Sequence, residues 1–294
     1  MSDSEEARCD KFDEVYLPFT EGELKKHFVP SESDHIAYYK KRLGKRNEHN
    51  ERFWIVTTLK SLVDAHRGGN EALDHLLTGC IGEPPREYSD WRSALGEKYR
   101  LFFEVAMPAP QQYRAFLKDH YREVTLNFPL MMTPGPGTQY EGKTWVDAVL
   151  VGETGVAVLF EAKVLSDISC RVKYDFTRNQ IARNIDVMLE RGHGQSGVPL
   201  LRNREPLLTY FVLLTPSKFK RKENDSDEPD YHDSRLYGWL MEEYKRNPAV
   251  LAKHLHHRND DGTVERATQR MGWLTFEDCY AQLPDSCPWM RSSV

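Results

Sequence analysis

The stretch Val146-Asp147-Ala148-Val149-Leu150-Val151-Gly152-Glu153-Thr154-Gly155-Val156-Ala157-Val158-Leu159-Phe160-Glu161-Ala162-Lys163 decides the fold. Two valine-rich runs, 146–151 and 156–164, are dense in strand formers and flank one tight turn. A three-residue loop, Glu153-Thr154-Gly155, puts glycine at the left-handed position such loops favour. Gly152 then faces Val156, paired residue numbers add to 308, and Asp147 falls opposite Glu161. Directly opposed side chains have Cβ atoms roughly 4.5–5.5 Å apart. Lys163, two residues past Glu161, shares its face. Ala162 points away, and its backbone carbonyl is offered as a further ligand. A two-residue loop, Glu153-Thr154, would instead add to 307 and send the acids to opposite faces. The functional reading depends on the first register.

Two acids directly opposed on a sheet repel, and burying them costs more unless a proton or cation intervenes. The surrounding positions read as buried on both sides. Val146, Ala148, Leu150, Val158, Phe160 and Val164 are expected on one face, with Val149, Val151, Ala157 and Leu159 on the other. Such strands belong in the middle of a sheet. Acids and a lysine at the end of an apolar hairpin suit a hard divalent ion with oxygen ligands, Mg²⁺ with Mn²⁺ as substitute, held by Asp147, Glu161 and the Ala162 carbonyl. Such an ion polarises a phosphate and helps make hydroxide from water. Lys163 would orient or deprotonate that water and stabilise charge developing on the phosphorane.

The pattern Val146-Asp147, thirteen residues, then Glu161-Ala162-Lys163 resembles the PD-(D/E)XK nuclease superfamily, also called restriction-endonuclease-like. The resemblance covers residues 110–220. It maps the family's first acid to Asp147, its second to Glu161 and its lysine to Lys163, with Val146 in place of the first motif's proline. It implies an α/β fold with a mixed central sheet flanked by helices. The element order fits. Residues 110–122 read as a helix, 124–132 as a strand, and 207–215 as a further strand. Asp175 or Thr177 is expected to cap a helix running to Glu190. On that helix Gln180 and Asn184 share a face. The family often places a glutamine there against the site, which marks Gln180 as a catalytic candidate and Arg183 as a substrate contact. Family members also often add an acid from the preceding helix, for which Glu97, Glu104, Asp119 and Glu123 are candidates, Glu104 and Glu123 first.

Gly137-Thr138-Gln139-Tyr140-Glu141-Gly142-Lys143-Thr144 matches the nucleotide-binding P-loop expression. A P-loop needs a helix to begin at its lysine. Here the lysine runs into a short β-branched stretch and a turn, so the match reads as chance, with Lys143 kept as a phosphate contact.

Net charge is −5, of which residues 1–15 carry −4, leaving −1 for the remainder. A globally acidic nuclease needs one positive groove. Lys218-Phe219-Lys220-Arg221-Lys222 follows the 207–215 strand, where Lys220 and Arg221 would meet phosphate. The five cysteines lack Cys-x-x-Cys spacing, which suits free thiols in a reducing cytoplasm. His254, His256 and His257 cluster near a helix end, a weak metal signal. No apolar run spans a membrane, and the acidic N-terminus lacks an apolar signal region.

The chain is expected to divide into an acidic, disordered tail (1–15), an N-terminal helical region (16–107) and a nuclease-like domain (108–294). Helices are expected over 33–46, 52–67, 71–78, 91–107, 234–244, 248–257 and 277–282, with an edge strand at 272–276. The functional expectation is a Mg²⁺-dependent nuclease of restriction or phage-defence layout, cutting DNA in preference to RNA. Double-strand cutting would favour a homodimer. The alternatives are a non-catalytic nucleic-acid- or partner-binding member of the fold and, behind it, a P-loop nucleotidase.

Overall fold

The computed structural model describes residues 26–27, 51–125, 141–168, 178–191, 198–220, 235–258 and 262–293. Five strands form one open mixed sheet in the order β1 (Tyr99–Met107), β2 (Thr144–Gly152), β3 (Ala157–Ala162), β4 (Thr209–Thr215) and β5 (Met271–Thr275). The first three pair antiparallel; β3, β4 and β5 run parallel. Every residue of β3 and β4 is buried, as the unbroken apolar runs require of central strands.

The hairpin has the 308 register. Ala148 pairs with Phe160, Leu150 with Val158 and Val151 with Ala157, and Gly152 N–H donates to Val156 at 2.9 Å. Gly155 takes φ +89°, the left-handed conformation that closes the loop. One detail differs. Val146 packs with Val149 and Val151, on the opposite side from Ala148 and Leu150. The cause is a break in alternation where β1 meets β2. Glu104 is the β1 residue that faces Asp147 in the sequence of pairs from Phe103↔Ala148 to Val105↔Val146, and it holds φ +50°. A positive φ at a non-glycine residue departs from extended geometry, and the alternation of both strands breaks at this point.

Helices cover both faces. Against one lie α1 (Glu51–Arg67), α2 (Ala72–Ile81), α3 (Trp91–Leu95) and α10 (Phe276–Gln282), whose Leu59, Leu77, Trp91 and Phe276 join Leu150, Phe160 and Val212. Against the other lie α5 (Gln180–Met188), α6 (Pro199–Arg202), α7 (Leu236–Arg246), α8 (Pro248–His254) and α9 (Thr263–Thr268), whose Ile185, Leu201, Tyr237, Leu251 and Ala267 join Leu159, Phe211 and Leu213. Between β1 and β2 runs α4 (Gln111–Thr125). No helix among the described residues is long and apolar enough to cross a membrane.

The stretch 91–107 is not one helix. Gly96, at φ +77°, ends α3 after Leu95, and the aromatic run Tyr99 to Phe103 becomes β1. The part read as an N-terminal helical region therefore supplies one strand of the central sheet as well as α1 to α3. Residues 124–125 belong to α4 rather than to a strand; the rest of 126–132 lies outside the described residues, as do 1–15, 33–46, 175 and 177. Helix α5 is capped by Asn179, whose side chain accepts from Ala182 N–H at 3.0 Å. Helix α9 had no counterpart in the sequence reading.

Helix α3 closes the turn end of the hairpin tightly. A Cβ on Gly152 would stand 2.0 Å from the Leu95 carbonyl oxygen and 2.8 Å from its Cα. Backbone cannot give way as a flexible side chain does. Gly152→Ala should lower unfolding free energy by about 1–3 kcal/mol, read from urea denaturation. No loss would mean that α3 does not seat on the hairpin in this way.

Candidate active site

Where β2 and β3 reach the end of their shared ladder, polar side chains replace valines. Asp147 is half-buried, and its Oδ2 accepts the Ala162 N–H at 2.8 Å. An extended residue points N–H and C=O to the same side, so the Ala162 carbonyl also lies on the Asp147 side of β3. Glu161 is fully buried. Its Oε1 accepts from Lys163 Nζ at 2.8 Å and from Gln180 Nε2, and its Oε2 accepts from Asn184 Nδ2 at 2.9 Å. Gln180 and Asn184 occupy successive turns of α5, so one helix face clamps the carboxylate.

Helix α1 brings a further acid. Glu51 Oε2 accepts from Val164 N–H at 2.9 Å and Ser166 Oγ at 2.7 Å, tying down the segment that follows Lys163. Asp167 continues that segment and accepts from Leu236 N–H at 2.7 Å and Tyr237 N–H at 3.2 Å, capping α7. Next to Glu51, Arg52 Nε meets Glu104 Oε1 at 2.9 Å. Glu104 is thus beside Asp147 on a strand, not a helix, and has a cationic partner.

The charges interact. Burial, and then the Glu161 charge, push the Asp147 carboxyl up to about 8, against the pull of Lys163 and the Ala162 N–H. Burial works against the Lys163 ammonium, but Glu161, Asp147 and Glu51 outweigh it and hold its pKa well above the ordinary lysine value. Lys163 is a cation and a hydrogen-bond donor to Glu161 in this arrangement.

The remaining sequence candidates sit elsewhere. Arg183 Nε bonds Glu141 Oε1 at 2.8 Å and reaches the Lys143 carbonyl at 3.5 Å; the Lys143 side chain is exposed. Lys220 Nζ donates to the Trp273 carbonyl at 2.9 Å, on the β4–β5 side of the sheet. Arg221 lies outside the described residues, and Glu123 is carried by α4 with its side chain undescribed. Thr144 opens β2, so no helix begins at Lys143 as a P-loop would need. The histidines serve other groups. His254 Nδ1 pairs with the Tyr244 hydroxyl, and His257 Nε2 meets Asp186 Oδ1 at 3.1 Å.

Asp186 anchors α5 from behind. It is fully buried and also receives Arg178 NH2 at 2.6 Å and Arg258 Nε at 2.5 Å, while Arg258 NH2 bonds Glu190 at 2.8 Å. Burial opposes the Asp186 charge, yet these cations hold its pKa well below the usual carboxylate range.

No family model, no curated protein and no solved structure matches this chain. Among the described residues, no three acidic, histidine or cysteine side chains stand close enough to enclose a metal ion as they lie. The donor chemistry nonetheless suits a hard cation. Asp147 keeps a proton to neutral pH because burial and a neighbouring acid disfavour its charge, and a divalent ion relieves the same cost.

Asp147 supplies a test. Folded, it holds its proton to about pH 8; its ordinary value is 3.8. The folded state binds more protons than the unfolded chain between these limits, so this group's contribution to stability falls as pH rises through that window. In chelator, Asp147→Asn should remove that fall: its stability relative to wild type should be greater at pH 8.5 than at pH 5.5 in urea unfolding. The same difference at both pH values would rule out a protonated Asp147.

Proposed function

We propose that this chain is a metal-dependent nuclease with a restriction-endonuclease-like arrangement, hydrolysing phosphodiester bonds of nucleic acid, DNA in preference to RNA. The observation that carries the reading is the 308 register. It brings Asp147 to the end of the ladder beside Glu161, with Lys163 bonded to Glu161 on the next turn of the same pleat. Asp147, Glu161 and the Ala162 carbonyl would hold Mg²⁺, and Glu51 joins them as the acid from a preceding helix. Drawing these groups onto one ion takes side-chain rotation. The ion, when bound, supplies Lewis-acid activation of a phosphate and a more acidic water.

This chain's own residues do the rest. Lys163 holds a positive charge next to the acids and donates to oxygen, which stabilises charge building on phosphorus. Gln180 and Asn184 fix the Glu161 rotamer, so the ligand oxygen is preset rather than ordered on binding. Glu51 and Asp167 fasten the segment after Lys163 and keep the ammonium in place.

One observation favours the second reading, a non-catalytic member of the same fold. Glu161 already satisfies three protein donors without a metal. Cleavage assays separate the two readings. Linear and circular DNA and RNA are incubated with the protein, with and without Mg²⁺ or Mn²⁺. Nuclease function requires metal-dependent cutting that Asp147→Ala, Glu161→Ala and Lys163→Ala each reduce by ~10²-fold or more. Cutting by the Lys163→Ala protein at the wild-type rate would remove the role given to that lysine. Because Asp147 must shed its proton to bind a cation, Mg²⁺ affinity should rise with pH by up to about tenfold per unit and level off above pH 8. A flat affinity from pH 6 to 9 would exclude Asp147 as a ligand.

A further inference from the structure

One end of the sheet collects exposed apolar side chains. The parallel strands β3, β4 and β5 finish there at Ala162, Thr215 and Thr275, and the antiparallel β2 begins there at Thr144. Ligands of open α/β sheets bind at the carboxyl ends of the parallel strands. Among the described residues five large apolar side chains are exposed. Four belong to this end: Trp145 near the start of β2, Leu165 two residues after Lys163, and Leu236 and Trp239 on α7. Leu207, the fifth, precedes β4 at the opposite end. Tryptophan is mostly buried in folded proteins, yet Trp145 is 41% and Trp239 51% exposed.

Helix α7 is fastened to this end by Asp167, which accepts from Leu236 N–H and Tyr237 N–H. The Tyr237 hydroxyl lies within electrostatic reach of Glu51 and Lys163. Tyr237, Leu240, Met241 and Tyr244 form the buried stripe of the helix, so Leu236 and Trp239, one turn apart, share the face turned to water. Two cations stand at the start of the same helix. Lys218 Nζ is 4.7 Å and Arg235 Cζ 5.0 Å from the centre of the Phe219 ring. The strand order puts Trp145 on the β2 side of Glu161 and Lys163, and Lys218, which follows β4, on the other side.

We propose that this rim receives single-stranded nucleic acid, in which unpaired bases stack on Trp145 and Trp239 to either side of the phosphate at the candidate site, while Lys218 and Arg235 meet the backbone. An indole face stacks on any base, and cationic side chains between the stacking positions follow the phosphates. A purely apolar protein partner would leave those cations without a counterpart. A duplex keeps its base faces inside the stack, so the indoles cannot reach them without unpairing. The inference rests on the nuclease reading above and specifies the strandedness of its substrate.

The test is fluorescence anisotropy of labelled DNA of one sequence, single-stranded or duplex, and of the same strand as RNA. The full chain is kept in chelator, so that binding is read without cutting. One of the two single strands should bind about tenfold or more tighter than the duplex, and which one names the sugar. Trp239→Ala should weaken that binding by about tenfold, and Trp239→Phe, which keeps a stacking face, by much less. Lys218→Ala should lower the slope of log affinity against log salt by about 0.7. Equal affinity for single strand and duplex would overturn the proposal. So would single-strand binding that neither Trp239→Ala nor Trp145→Ala alters, which would leave the rim as a protein-contact surface. Tryptophan-dependent single-strand binding with no cutting in Mg²⁺ or Mn²⁺ would keep the proposal and remove the nuclease reading. Metal-dependent cutting with no preference for single strands would do the reverse.

Discussion

Taking a carboxylate wholly out of water costs several kcal/mol unless donors surround it, and Glu161 is wholly out of water. Much of the local architecture meets that demand. Lys163 follows it two residues on, and Gln180 and Asn184 reach it from α5. The polar ring closes where α5 packs over β2 and β4, and Ile181, Ile185 and Leu159 belong to the apolar core on that face. Removing one member would leave the others facing an incompletely bonded charge, and the low dielectric that strengthens the ring also raises the cost of any gap in it.

The hairpin decides which groups can enter that ring. A period of two means that a slip of one residue exchanges every side chain between faces. The Gly152–Gly155 turn and the seat of Gly152 against Leu95 exclude the slip. Beyond the last ladder pair the strands stop obeying simple alternation, and Asp147 uses that freedom to bond the Ala162 backbone while remaining within electrostatic reach of Glu161. Glu104 marks the same place on the third strand. A positive φ, an opposed pair of acids and an arginine from α1 gather where regular pairing gives out.

The hairpin was legible in the sequence because its signals agree with one another: two β-branched runs, a glycine at the left-handed position and charged residues at the ends. The β3–α5–β4 order was legible for similar reasons, and Gln180 was placed correctly by its position on α5. Strand β1 was not. Its apolar residues satisfy helical spacing as well as alternation, and only tertiary pairing with β2 resolves the ambiguity. Glu51 was hidden because an acid in the first turn of a helix is ordinary, and its partners, Val164 and Ser166, lie more than 110 residues away. Charge in a sequence carries no direction, and of the basic run at 218–222 the residues Arg221 and Lys222 lie outside the described residues. Lys220 turns back onto the Trp273 carbonyl. Val146 was put on the wrong face by assuming unbroken alternation through Asp147.

Asp186 ties the back of α5 to Arg258, just beyond α8, through bonds made entirely inside the protein. The helix that grips Glu161 is therefore moored by a residue 72 positions further along the chain. Ribosomal synthesis delivers that anchor late. Arg178 meets Asp186 from nearby in the sequence, and the back of α5 gains its remaining partners only once the segment carrying His257 and Arg258 has emerged.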